Sequence, residues 1–261
     1  MKKSQLQSSV PTLPAACVGN DADCRQSLIN LMPPHEVYIE PFLGSGAVLR
    51  RKRPAACSNV GIDCDPRAIA AFSEFRVPSL RLVTGDSRQY LREYFGLSRE
   101  RSPAFASHVR FMMRAHENHL VYADPPYLGS TRKGRRRYAY ELMTETEHIE
   151  LLRILTSLPA MVMISGYRSE LYDRTLRDWR RVEIASMTHG GPRWESVWMN
   201  YPEPCELHDY RFLGRDCYDR LRIRRKIARH VGKLRKLPAL ERAAILKALN
   251  AGTGKGSHDA E

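Results

Sequence analysis

Several things are missing from this chain, and each absence removes a class of protein. No run approaches the roughly 18 to 20 uncharged apolar residues that span a bilayer, so no transmembrane helix is expected. The opening stretch MKKSQLQSSVPTLPAA starts basic but has no continuous apolar core, and no signal peptide is read in it. Cys17, Cys24, Cys57, Cys64, Cys205 and Cys217 are dispersed and none forms a CxxC pair. That pattern points to reduced structural thiols in a cytoplasmic protein. Closely spaced metal ligands are also wanting: only His116 and His119 stand together, without nearby cysteines, and HENH is not HExxH, so no metal is expected. No GK[ST] follows the one glycine-rich turn, which excludes a Walker A loop. Acidic residues are the last shortage: 29 Asp and Glu face 42 Lys and Arg, for a net charge of +13.

What is present describes a globular α/β chain. With 261 residues and 43% hydrophobic content, it can bury one large core with a small accessory region. The basic excess is concentrated in Thr131–Arg137 (TRKGRRR) and Arg211–Lys236. Two separate runs of one sign favour a polyanion partner over a merely solvated face. Charge alone does not separate DNA from RNA or from an anionic membrane.

Strand and helix patterns alternate. CRQSLINLM (24–32) has helical spacing and stops at Pro33–Pro34; VYIE (37–40) reads as the first strand and runs into PFLGSG. A short helical piece ending near Pro54, a strand at 59–63, a helix from Pro66 through Phe75 and a strand at 81–85 follow. Residues 96–116 carry no clean periodicity. LVYAD (120–124) is the fourth strand, a helix is marked by Ile149, Leu152, Leu155 and Leu158, and AMVMI (160–164) is the fifth strand. A helix at 169–179 and strands at 182–186 and 196–200 close the pattern. This alternation predicts a mainly parallel sheet with helices on both faces. Beyond about Glu206 come two helices, at 217–236 and 238–249. The first is basic, with a narrow apolar stripe of Ile223, Ile227, Val231 and Leu234 expected to dock on the body. That stripe holds no bulky aromatics, which argues against membrane binding.

Two constellations carry the chemistry. Glu40-Pro41-Phe42-Leu43-Gly44-Ser45-Gly46 leaves the first strand as a tight turn that lets a ligand approach the backbone. Asp63, at the end of the second strand, is placed to accept from ribose hydroxyls, with Asp65 as its competitor, and Asp86 follows the third. A lone GxG is weak evidence. Three acidic or glycine turns at successive carboxyl ends are much stronger. The second constellation is Asp124-Pro125-Pro126-Tyr127, ending the fourth strand. Adjacent prolines cannot continue a central strand; they stiffen a loop that presents a carboxylate and an aromatic ring. A carboxylate accepting one N–H, and the Pro125 carbonyl another, would orient an amine's lone pair, while Tyr127 stacks on its ring.

EPFLGSG at 40–46 with DPPY at 124–127 resembles the Dam-like amino-methyltransferases that act on adenine N6. The stretches YLGSTRKGRRRYAYE, ISGYRSELYDRTLRDW, ESVWMNYP and LHDYRFLGRDCYDRLRIRRKIARHVGKL resemble a phage and mobile-element branch of them, so the likeness spans about residues 17–249. The resemblance implies a Rossmann-like sheet with an antiparallel edge and C-terminal basic helices, S-adenosylmethionine as cofactor, and direct methyl transfer to a flipped adenine, most readily in DNA. It assigns Glu40, Pro41, Phe42, Gly44, Gly46, Asp63 and Asp86 to the cofactor and Asp124, Pro125, Pro126 and Tyr127 to catalysis. RNA as the polymer, an inactive nucleic-acid-binding module and a protein-amine methyltransferase are the alternatives. Two departures stand out: the N-terminal stretch reads Val18-Gly19-Asn20-Asp21 where the family carries glycine then lysine, and the segment between Asp86 and Asp124 is too short for a target-recognition domain.

The expected organisation is a flexible lead at 1–16, a catalytic domain at 17–205 with a short insertion at 87–119, a basic helical extension at 206–249 and a disordered tail at 250–261. Phosphate contacts are expected from Arg132, Lys133, Arg135, Arg136 and Arg137, with Tyr138 beside them, and from Arg222, Arg225, Lys226 and Arg229. A monomer without an obligate protein partner is the default.

Overall fold

β1 (Val37–Glu40) reads VYIE and is buried along its whole length, as a central parallel strand must be. The computed structural model describes residues 22–97, 117–128, 143–188 and 191–252. β1 lies parallel between β2 (Ser58–Asp63) and β4 (His119–Ala123). β3 (Leu80–Thr84) extends the sheet beyond β2, and β5 (Met161–Gly166) beyond β4, again in parallel. β6 (Arg180–Thr188) and β7 (Gly191–Met199) form a hairpin that joins through β7, antiparallel to β5. The order β3-β2-β1-β4-β5-β7-β6 is the Rossmann-like sheet expected, mostly parallel with one antiparallel edge. Its chain order reverses between β1 and β4, which opens a crevice at the carboxyl ends of those strands.

Short polar side chains start the helices. Asp65 caps α2 (Pro66–Ser73) by accepting from the Arg67 N–H, and Pro66 sits where its missing donor costs nothing. Asp86 caps α3 (Ser87–Tyr94). Thr144 and Glu147 form a reciprocal capping box on α4 (Glu145–Ser157), and Ser169 caps α5 (Glu170–Thr175). Side chains alternate across the sheet. Ile39, Val121, Ile164 and Trp198 share a core with Leu151 and Leu155 of α4. Tyr38, Tyr122, Met163 and Val197 lie in the other core, with Leu28 of α1 (Ala22–Ile29) and Phe72 of α2.

Two helical expectations are corrected. The piece before Pro54 is a set of turns, in which Gly46 O accepts from the Arg50 N–H at 3.0 Å and Val48 O from Lys52 at 2.9 Å. The bonds there mix three- and four-residue spacings, with the Arg51 N–H also reaching Val48 O at 3.0 Å, and do not repeat as a regular helix. The helix expected at 169–179 closes at Thr175, because Leu176 (φ −106°, ψ 24°) leaves helical geometry and turns the chain into β6.

The chain divides into two compact units between Phe212 and Leu213. The second contains α6 (Cys217–Arg235) and α7 (Ala239–Gly252). Ile227 and Val231, half of the stripe expected to dock, are exposed. Among the described residues no helix is long and apolar enough to cross a membrane, and no cluster of His, Cys, Asp or Glu could hold a metal ion.

Candidate active site

Because side chains alternate along a strand, residues two apart share a face. Glu40 follows Tyr38 on β1, Asp124 follows Tyr122 at the end of β4, and Ser165 follows Met163 on β5. Glu195 precedes Val197 on antiparallel β7. The order β1-β4-β5-β7 therefore lines up Glu40, Asp124, Ser165 and Glu195 on one face, at the edge where the sheet order reverses. Glu40, Asp124 and Glu195 floor a cleft of about 310 Å³ that is also lined by Cys24 and Leu28 of α1, Phe42, Gly44 and Tyr127, and Ser165 lies buried beneath it. A larger hollow of about 590 Å³ between α3 and α4 is lined by Arg92 and Glu150. Those two charges already pair with each other and no strand end reaches the hollow, so the smaller cleft is the candidate.

The polar floor is internally wired. The Tyr38 hydroxyl donates to Glu40 Oε2 at 2.8 Å. Ser165 Oγ donates to Asp124 Oδ1 at 3.1 Å and lies 3.0 Å from the Tyr122 hydroxyl. Tyr127 donates to Glu195 Oε1 and the Cys24 thiol to Glu195 Oε2, both at 3.4 Å. Tyr167 braces the Tyr127 ring, with centroids 4.5 Å apart. Desolvation pushes the Glu40 carboxyl up to about 8; the Asp124 charge adds to this and the Tyr38 hydrogen bond opposes it. Crowding by protein atoms, then the charge of Glu195, raises Asp124 to about 7, while Ser165 works the other way. Asp124 still meets solvent through the cleft mouth, which tempers that rise. Burial also raises Glu195.

The glycine loop divides its work. Gly44 and Gly46 both take left-handed backbone angles, φ 48° and 60°, where other residues are strained. A Cβ on Gly46 would collide with the Phe72 ring, whereas one on Gly44 would meet open space. Gly46 thus fits the loop against α2, and Gly44 leaves room beside the cleft. Gly46→Ala should cost about 1–3 kcal/mol from overpacking alone, with backbone strain added. A denaturant melt checks this: an unchanged midpoint would remove Gly46 from the packing.

Asp63 Oδ2 accepts from the Gly44 N–H at 2.7 Å, and Oδ1 accepts from the Asp65 N–H at 2.8 Å. It therefore ties the glycine loop to β2, next to the cleft. Its competitor Asp65 is engaged in capping α2 and in an ion pair with Arg67 at 2.8 Å. Asp86 does not reach the cleft lining; it caps α3 and pairs with Arg88 at 2.8 Å. The neighbouring Ser87 hydroxyl is the group that meets the loop, donating to the Pro41 carbonyl. Pro125 and Pro126 form the turn that carries Tyr127 from the strand end to the cleft wall.

No family model and no curated protein matches the chain. Among solved structures it is similar to a SAM-dependent methyltransferase from Agrobacterium tumefaciens, at 16% identity and TM-score 0.42, over 68% of this chain and 60% of that one. A Streptococcus mutans protein assigned as a methyltransferase and solved in complex with SAH aligns at 11% identity and TM-score 0.40, over 67% and 94% of the two chains. A precorrin 8w decarboxylase from Methanobacterium thermoautotrophicum aligns at 15% and 0.38, over 67% and 87%. Likenesses at this level concern the fold alone.

Sequence reasoning missed Ser165 and Glu195. Their signal was alternation: with β5 and β7 placed beside β4, ISGY and WESV put a polar residue on the face that carries Asp124. The basic residues expected at the substrate fall in two places. Arg132, Lys133, Arg135, Arg136, Arg137 and Tyr138 lie outside the described residues, as do Val18 to Asp21. Arg222, Arg225, Lys226 and Arg229 lie on α6, along a groove of about 480 Å³ that Tyr218 and Leu221 also line.

Proposed function

We propose that this chain is an S-adenosylmethionine-dependent methyltransferase that modifies the exocyclic N6 amine of adenine in DNA. One observation carries the reading: Asp124 and Tyr127 of DPPY share a single cleft with Glu40, Phe42 and Gly44 of EPFLGSG, at the reversal point of the sheet. The two motifs that resemble the Dam-like enzymes thus meet in space, far apart though they are in sequence.

The cleft suits the cofactor in shape and in charge. Open space above Gly44 gives room for a ligand against the backbone, and Phe42 supplies an apolar wall. Carboxyls of Glu40, Asp124 and Glu195 favour cationic and amine groups. When bound, S-adenosylmethionine supplies an electrophilic methyl group on a positively charged sulfur. Asp124 would accept one N–H of the adenine amine and the Pro125 carbonyl the other, leaving the nitrogen lone pair free to point at the methyl. Tyr127, braced by Tyr167 and held through its hydroxyl by Glu195, would stack on the base. Positioning and fixed dipoles suffice for such a transfer. A paired base cannot reach the cleft floor, so it must leave the duplex first.

Incubating the chain with S-adenosylmethionine and separate pools of duplex DNA, single-stranded DNA and RNA, then weighing the digested nucleosides, tests the reading. N6-methyladenine should accumulate in DNA. Product in RNA alone would keep the chemistry and change the polymer. No product in any pool, with the cofactor bound, would sink the proposal.

A further inference from the structure

Methyl transfer by this route uses one carboxylate, yet the cleft floor carries a second within the same hydrogen-bond network. Glu195 is buried, although nothing in an α/β sheet requires a carboxyl at that position of β7. Isolated buried carboxyls are costly, and one is retained where it has partners or work. Its partners are the Tyr127 hydroxyl and the Cys24 thiol, together with Ser165, which also donates to Asp124. A serine hydroxyl has one proton to give. It can stabilise negative charge on Asp124 or on Glu195, but not on both at once.

We propose that Asp124 and Glu195 work as a pair sharing one proton: before the amine binds the negative charge rests mostly on Glu195, which accepts from both Tyr127 and Cys24, and Ser165, by donating to Asp124, lets the charge pass to Asp124 when an amine N–H is presented there. This rests on the reading of the site as an amine methyltransferase, and it makes Glu195 a positioning residue that acts through Asp124 and Tyr127. The pair also gives the reaction's surplus proton a destination. An amine nitrogen that has gained a methyl group is positively charged and must shed one proton. The N–H bond breaks with its electrons left on nitrogen, and an O–H bond forms on the ionised carboxyl of the pair. The proton then leaves to water through the open side of Asp124.

The other groups that face the pair are Cys24 and Arg25 from α1, Glu40 from β1, Tyr122 from β4, Tyr172 from α5, and Tyr127 with Tyr167. Glu40 repels charge on Asp124, which reinforces the single-proton state. Arg25 is the one cation lining the cleft among the described residues.

Two substitutions should move Asp124 in opposite directions. Glu195→Gln keeps shape and removes a neighbouring negative charge, so Asp124 ionises more readily and its titration falls by about one unit or more. Ser165→Ala removes a hydrogen bond that favours the ionised form, so the titration rises. Both are read in the full-length protein by carbon NMR of labelled carboxyls, with circular dichroism to verify folding. The acid limb of the methylation rate against pH should move with them: to lower pH in E195Q and to higher pH in S165A. A merely structural Glu195 would leave the Asp124 titration where it is, and that result, or shifts of the same sign in both variants, overturns the pair. If the wild-type chain methylates nothing, the proposed reaction fails while the NMR titration still decides whether the proton is shared.

Discussion

Asp124→Asn should lower the single-turnover methylation rate by about a hundredfold to a thousandfold, the usual cost of removing one fixed electrostatic partner from an active site. The substitution preserves size, and Ser165 can still donate to the remaining side-chain oxygen. What changes is charge and polarity: one carboxylate oxygen becomes an amide NH₂, which offers a donor to an amine that already brings two. The nitrogen lone pair then loses its orientation toward the methyl group. Cofactor affinity should be nearly unchanged, because the EPFLGSG loop is tied to β2 through Asp63 and Gly44 at 2.7 Å without help from Asp124. Rapid-quench rates with the cofactor titrated separately make the comparison. A variant within tenfold of wild type would show that Asp124 does not hold the amine. One that lost cofactor binding as well would place Asp124 on the cofactor.

The legible part of this molecule was the part written in periodicity and backbone chemistry. VYIE followed by a glycine turn, and an apolar strand stopped by two prolines, gave both strands that border the crevice, and strand–helix alternation gave a mainly parallel sheet; the strand order that brings the two together came from the structure. Local sequence could not say how Asp86 would be used. An aspartate after a strand suits a ligand and an N-cap equally well, and here Asp86 caps α3 and pairs with Arg88 at 2.8 Å. Ser165 and Glu195 were hidden for another reason. Their meaning depends on strand register, Ser165 opposite Val197 and Gly166 opposite Ser196, which places Glu195 just past the carboxyl end of β5. No motif announces that; it emerges once an antiparallel strand is set beside a parallel one.

The charge distribution separates chemistry from affinity. A chain of net charge +13 has a cleft floored by three carboxyls, which is the reverse of what a phosphate-binding pocket would show. Phosphates would be repelled from the floor while an amine is welcomed. Binding of a polyanion must then be carried by surfaces outside the cleft, and the basic helix α6 offers one.

Replacing Arg225 and Arg229 of α6 together with alanine should weaken DNA binding at low salt and reduce the slope of log affinity against log salt by about two, close to one for each phosphate that is no longer neutralised. Asp219 is the only acidic residue of α6, and it is already engaged by Arg222 at 2.7 Å and Arg215 at 3.7 Å. Arg225 and Arg229 stand four apart on one face, exposed and without an acidic partner among the described residues. Like charges at that spacing cost a helix about 0.2–0.5 kcal/mol, and alanine is the better helix former. The double variant should therefore fold at least as stably as the parent, so weaker binding could not be blamed on unfolding. Fluorescence anisotropy with a labelled duplex across a salt series reads both quantities. An unchanged slope would mean that the helix tolerates its own repulsion for some reason other than phosphate. A reduced slope with an unchanged methylation rate at saturating DNA would show that α6 holds the polymer while the acidic cleft does the chemistry.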